Sequence, residues 1–143
     1  MFLGQYEHSV DEKGRMTIPA KFREQLDGGA FVTQGFDRNL MVLTKETFDR
    51  LYNRVNQMSM TDPTVRQLRR LIFSNASQVE IDKSGRLLFP QFLRDTASLQ
   101  GTTMIVGVGE YFEIWSPELW TNQLDQIKDA DSERFATLDL SLR

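Results

Sequence analysis

Two pairs of side chains at one matched spacing offer the clearest chemistry in this sequence: Asp11 with Arg15, and Asp82 with Arg86. In each pair the arginine directly follows a turn glycine, Gly14 or Gly85. A guanidinium is a rigid fork of five donors that stays charged at ordinary pH. A carboxylate four residues earlier can hold that fork by a charge-assisted bond. A fork that is held and exposed suits a phosphate or the edge of a guanine. The same spacing also serves a plainer end, in which each Asp–Arg pair only staples its own hairpin. The residues alone weigh the two readings evenly. That the pair occurs twice tips the balance towards chemistry, because two symmetry-related arginines can meet repeated features of a long polymer.

Other charged residues stand near these pairs. Lys13, Lys21 and Lys83 are candidate phosphate neighbours, or ordinary solvated charge. Lys21 has no basic counterpart, since Phe92 occupies its place in the second copy. Arg23 and Arg94 close short helices, where they favour the dipole and can cap carbonyls; a structural role outweighs a functional one. Arg66, Arg69 and Arg70 share a helix face that reads as solvated or as an interface.

Enzyme chemistry finds little support. His8 is the only histidine, its counterpart is Val79, and it lies on the apolar side of its strand. Ser9, Ser74 and Ser77 lack a glycine-rich elbow. Gly107-Val108-Gly109 is too short for a dinucleotide site. With no cysteine, thiolate chemistry and Cys-based metal sites are excluded, and the acidic tail shows no calcium-loop spacing. The expectation is a protein without catalysis, cofactor or metal.

What positions the pairs is an internal repeat. Residues 11–23 read DEKGRMTIPAKFR and residues 82–94 read DKSGRLLFPQFLR, 71 residues apart without a gap. Val10 matches Ile81 upstream, and residues 42–48 match 114–120 downstream. In the first copy Tyr6, His8 and Val10 alternate with polar residues over 4–10, a turn spans Asp11 to Gly14, and Arg15 to Ile18 resumes a strand. The pattern of 5–18 is a hairpin. Pro19 then opens a short helix to about Leu26, and Ala30–Thr33 and Leu40–Leu43 are two further strands. The second copy repeats this order with a strand over 78–81, a strand over 86–89, a short helix from Pro90, and strands over 103–108 and 111–115.

Between the copies, residues 45–73 predict a helical pair, started by Thr44 and by Asp62-Pro63. A last helix starts at Ser116-Pro117-Glu118 with Trp120, Leu124 and Ile127 on its apolar side. Residues 129–143 form an acidic, partly helical or frayed tail carrying Leu138, Leu140 and Leu142. Four segments follow: a first unit over 5–48, a helical connector over 49–75, a second unit over 76–120 and the tail over 121–143. Each unit is poor in apolar residues for a domain on its own, so the two are expected to share one core.

Composition sets outer bounds. A chain of 143 residues with 40% hydrophobic content builds one domain or two small units on a common core. No apolar run is long enough to span a membrane. Met1-Phe2-Leu3-Gly4 carries no basic segment of a leader, so a cytoplasmic protein is expected. The formal charge of −3 is unevenly spread: residues 1–109 hold 14 Lys and Arg against 12 Asp and Glu, and residues 110–143 hold 3 against 8. Local arrangement, not net charge, decides what such a surface attracts.

The paired DxxGR hairpins, each followed by a large apolar residue with proline and by a closing arginine, resemble the MraZ family of the AbrB/SpoVT superfamily of swapped-hairpin DNA-binding proteins. The opening Met-Phe-Leu-Gly, Arg69-Arg70-Leu71-Ile72-Phe73 ahead of Ser77, and Ala136-Thr137 add to the likeness, which covers residues 1 to about 138. The resemblance implies an α+β fold, a tandem pseudo-two-fold swapped-hairpin β-barrel with connecting and C-terminal helices. It implies a bacterial transcriptional regulator, typically a repressor, that binds direct repeats in the promoter of the division and cell-wall gene cluster. It further implies a homo-oligomeric ring, a double-stranded DNA partner, no membrane, and a place in the cytoplasm on the nucleoid. The family's DNA-contacting arginines fall on Arg15 and Arg86, with Asp11 and Asp82 as their aspartates. A ring-forming adaptor that binds another protein is the alternative.

Overall fold

Alternation of apolar and polar residues over short stretches lays down strands, and the chain weaves them into a nearly closed antiparallel barrel. The computed structural model describes residues 1–129 and 132–141. The first copy supplies β1 (Phe2–Val10), β2 (Arg15–Thr17), α1 (Ala20–Gln25), β3 (Ala30–Gln34) and β4 (Leu40–Thr44). The connector supplies α2 (Lys45–Asn56) and α3 (Pro63–Phe73). The second copy supplies β5 (Ser77–Val79), β6 (Arg86–Leu88), α4 (Gln91–Thr96), β7 (Gly101–Gly109) and β8 (Tyr111–Trp115), followed by α5 (Pro117–Asp129) and α6 (Ser132–Ala136). The order strand, strand, short helix, strand, strand thus occurs twice, and the class is α+β as expected.

The strand order is β5-β3-β4-β8-β7-β1-β2-β6, and it interleaves the copies. β2 pairs with its own counterpart β6, β1 pairs with β7, and β5 pairs with β3. The hairpin read over 5–18 forms, with β1 and β2 antiparallel, whereas in the second copy the exchange separates β5 from β6. β1 and β2 pair at Val10 and Met16, while the other edge of β2 pairs along its whole length with β6. β5 stops at Val79, opposite Ala30, so Glu80 and Ile81 fall outside the strand they were expected to complete.

The core lies inside this weave. Met16, Ile18, Leu87 and Phe89 from the two repeats are fully buried, together with Phe22 of α1 and Leu93 of α4. Phe2, Phe22 and Phe112 form a triangle with ring centroids 5.0–5.1 Å apart, edge-on or tilted, the arrangement that aromatic quadrupoles favour. On the outer face, Phe48 of α2 stacks on Phe31 at 4.2 Å, and α5 lays Trp120 against Trp115 and Val106. That outer cluster ends at Leu124 on α5, so Ile127, expected on the apolar side, is exposed.

Capping follows the sequence grammar. The Thr44 hydroxyl accepts the Thr47 N–H at 3.1 Å, and the Asp62 carboxylate accepts the Thr64 N–H at 2.9 Å. In the tail, Leu138 and Leu140 are exposed, and Leu142 lies outside the described residues.

Candidate nucleic-acid interface

Each repeat folds its Asp-to-Arg segment into the same turn. The Gly14 N–H donates to the Asp11 carbonyl at 3.0 Å, and the Asp11 N–H donates to the Arg15 carbonyl at 2.9 Å. Gly85 with Asp82, and Asp82 with Arg86, repeat these bonds at 3.0 and 2.9 Å. Both turns need a left-handed residue, and both place a glycine there, Gly14 at φ +91° and Gly85 at φ +78°.

The aspartate organises the turn from within. One oxygen of Asp11 accepts the N–H groups of Lys13 and Arg15 at 3.0 and 2.9 Å, and the other accepts Arg15 Nε at 2.8 Å. Asp82 does the same for the N–H groups of Ser84 and Arg86, and for Arg86 Nε at 2.9 Å. Both carboxyls are held below the usual aspartate value. The largest cause is the backbone N–H of the arginine, joined by its guanidinium and opposed by partial desolvation. Among the described residues only Nε of each guanidinium is engaged. The two terminal nitrogens of Arg15 and of Arg86 have no hydrogen-bond partner among the described residues, on side chains about one-third exposed. The pairs therefore do staple their turns, and in doing so leave the bidentate edge of each fork unspent.

Strand register decides where the two forks point. Arg15 lies opposite Leu88, Met16 opposite Leu87, and Thr17 opposite Arg86. Directly opposed residues share a face, and the face alternates along each strand. Met16 and Leu87 point into the core at 0% exposure. Arg15, Thr17, Arg86 and Leu88 consequently share the outer face of a two-stranded ribbon. The two arginines are diagonal neighbours, about 7–8 Å apart at the backbone.

Thr17 and Leu88 escaped the sequence reading as site residues. The alternation that puts them beside the arginines was legible, but their meeting across copies was not. Lys13 and Lys83 are exposed on the turns at non-equivalent positions, Lys13 matching Ser84 and Lys83 matching Glu12. Lys21 is exposed on α1 and hydrogen-bonds to neither turn; its counterpart Phe92 is also exposed.

The remaining candidates lie elsewhere. His8 is half-buried in β1, its carbonyl accepts the Thr103 hydroxyl, and burial pushes its imidazole below the ordinary value. Arg66 and Arg69 tie the α2–α3 junction by donating to the Met60 carbonyl and to Asn56. Among the described residues no three His, Asp or Glu side chains gather as a metal site.

A family model described as "MraZ protein, putative antitoxin-like" matches residues 1–71 and again residues 72–141. The chain is also similar to curated proteins named "Transcriptional regulator MraZ". One from Roseiflexus castenholzii is 43% identical over 143 residues, spanning 100% of this chain and 99% of that protein. One from Herpetosiphon aurantiacus is 45% identical over 129 residues, 90% of each chain. One from Thermomicrobium roseum is 41% identical over 141 residues, 96% of this chain and 99% of that protein.

Proposed function

The chain belongs to the MraZ family, and from that premise we propose that it is a sequence-specific DNA-binding regulator of transcription. The observation that carries the reading is the ribbon face: two arginines, each oriented by its own aspartate and each with two terminal nitrogens to spare, side by side on an exposed pair of strands. A major groove about 12 Å wide admits a two-stranded ribbon. Arginine forks there can meet phosphate oxygens or guanine edges in bidentate fashion. Lys13 and Lys83 on the turns, and Lys21 on α1, supply phosphate contacts around them.

The target is the promoter of the bacterial division and cell-wall gene cluster, bound at direct repeats and repressed, and the protein works in the cytoplasm on the nucleoid. It acts as a closed homo-oligomeric ring. One subunit offers few cations, and its tail is acidic, so a single ribbon binds weakly. Linked ribbons raise the effective concentration of each further contact. Exposed Leu3 and Val108, paired across β1 and β7, and exposed Phe36 beside Val108 supply an apolar surface for subunit contact. That same surface favours the second reading, a ring that binds another protein.

Mobility shifts on the fragment upstream of this gene, at two salt concentrations, separate the two. DNA binding should weaken steeply with salt, and the slope of log affinity against log salt should fall by about 0.9 for each phosphate contact removed. Arg15→Ala with Arg86→Ala is expected to abolish the shift while the oligomer persists in light scattering. Arg15→Ala alone is expected to cost at least as much as Arg86→Ala, because Lys21 accompanies the first copy and Phe92 the second. An assembled wild type that fails to bind the fragment would leave the adaptor reading in its place.

A further inference from the structure

We infer that Arg23 and Arg94 are positioning residues, each for the arginine-bearing turn of the other copy, so that each contact unit is assembled from both halves of the chain. The backbone bonds already cross over. The Phe89 N–H donates to the Gly14 carbonyl at 2.7 Å, and the Ile18 N–H donates to the Gly85 carbonyl at 3.0 Å. The arginines reinforce that crossing. Arg94, on α4 of the second copy, donates Nε to the Phe89 carbonyl at 2.9 Å and lies over the first turn. A Cβ built on Gly14 would stand 2.6 Å from the Phe89 oxygen, 2.8 Å from Arg94 Nε and 2.9 Å from its Cζ. Arg23, on α1 of the first copy, lies over the second turn without a matching hydrogen bond among the described residues: a Cβ on Gly85 would collide with its guanidinium.

Helix capping does not account for these side chains. Neither guanidinium bonds the closing carbonyls of its own helix, which are met by backbone N–H groups instead: Leu26 to Arg23, and Ala97 to Leu93. Both arginines are half-buried, and neither forms an ion pair among the described residues. Each therefore lays an uncompensated positive charge along the backbone of a turn whose own arginine is paired. The turn gains a covering side chain, anchored by a hydrogen bond in the case of Arg94, and the electrostatic potential at its exposed fork rises. The glycines fit this arrangement as much as they fit the turn, since any side chain at either position would displace the brace.

The inference predicts a crossed pattern of coupling, Arg94 with Arg15 and Arg23 with Arg86. Its structural arm is hydrogen–deuterium exchange of the full-length protein without DNA. Arg94→Met should speed exchange in the peptide covering 11–17 about five- to ten-fold, the factor expected for one lost hydrogen bond, and leave 82–88 unchanged. Arg23→Met should speed exchange in 82–88 by a smaller factor, since packing and no hydrogen bond is lost there, and leave 11–17 unchanged. Arg94→Lys, which keeps the charge without the planar fork, serves if the Met variant fails to fold, and should speed the same peptide by less.

The functional arm rests on the DNA-binding reading and uses the upstream promoter fragment. Arg94→Met should add little to Arg15→Ala, but should multiply the loss caused by Arg86→Ala. Coupling within one copy, or unchanged exchange in both turns, would overturn the inference. Unchanged exchange with losses that multiply in every combination would instead mark Arg23 and Arg94 as direct DNA contacts. Crossed exchange in a protein that does not bind the fragment would defeat the functional reading and leave the brace standing.

Discussion

Gly14→Ala should be the most damaging single methyl that can be added to either turn, and neighbouring glycines give it an internal scale. At φ +91° an alanine pays backbone strain of about 1–3 kcal/mol. Gly28, at φ +94° with nothing within 4 Å of a built Cβ, isolates that strain term. Gly85, at φ +78°, adds a collision, but with the far end of a flexible side chain, Arg23, which can swing aside. Gly14 adds a collision with backbone: its Cβ would sit 2.6 Å from the Phe89 oxygen, and the Phe89 N–H is itself bonded to the Gly14 carbonyl. Relief requires moving β6 off β2, at an overpacking cost of about 1–3 kcal/mol and a further cost of about 1 kcal/mol for the weakened hydrogen bond. The totals are about 1–3 kcal/mol for Gly28→Ala and roughly 3–7 kcal/mol for Gly14→Ala, with Gly85→Ala between them. The largest is a substantial share of a domain's usual margin of about 5–15 kcal/mol. Urea denaturation followed by tryptophan fluorescence, at one fixed protein concentration because assembly adds apparent stability, gives the three values directly. A loss for Gly14→Ala within about 0.5 kcal/mol of that for Gly28→Ala, a margin near the ordinary scatter of benign substitutions, would refute the close apposition of the first turn and the second copy.

Two further predictions concern pH. Glu113 is half-buried on the outer sheet face, where it accepts Trp115 Nε1–H at 3.0 Å, and burial raises its carboxyl above the usual 4.5. The folded state thus holds this proton more tightly than the unfolded chain, and stability falls as pH rises through the window above that value. Glu113→Gln keeps an acceptor for the indole and should raise the thermal midpoint at pH 7 but not at pH 4; an equal gain at both, or a loss at pH 7, would be inconsistent with the burial argument. His8 has the opposite sign. Its folded value lies below 6.5, so stability is complete above that pH and declines as pH falls from it through the folded value. His8→Gln should flatten the denaturation midpoint between pH 7.5 and pH 5, and an unaltered slope would place the titration elsewhere.

Much of the chain was legible because local chemistry and global fold agree. Asp62-Pro63 and Thr44 start the helices they were expected to start, and the period-two runs of Tyr6, His8 and Val10 turn one face inward. The burial classes of residues 11–19 and 82–90 agree position by position, as a true repeat requires. What stayed hidden was partnership. A strand's own residues say which face it buries and not which strand it will pair with, so β2 with β6 and β3 with β5 could not be read from pattern. The same blindness affected Arg23 and Arg94. Placed at the ends of short helices, they satisfied the grammar of capping, while the turns they touch lie about half the chain away.

The exchange also bears on what kind of site such a ribbon fits. Two identical units paired in this way would present identical residues about a two-fold axis, and such a dimer matches a palindrome. Here the scaffold positions are equivalent while the side chains are not. Beside Arg15 the first strand shows Thr17, and beside Arg86 the second shows Leu88; Lys21 on α1 answers to Phe92 on α4. Threonine offers a hydroxyl to a base edge, whereas leucine offers apolar contact of the sort that suits a thymine methyl. Because the copies are joined in one chain and locked together by β2, β6 and the crossed turns, this difference cannot be averaged away by exchanging subunits. In the proposed DNA complex the ribbon would therefore have a direction along the groove. A directional reader, repeated around a ring by rotation, fits sites that repeat head to tail, and this is the physical reason to expect direct repeats and not inverted ones beneath the proposed assembly.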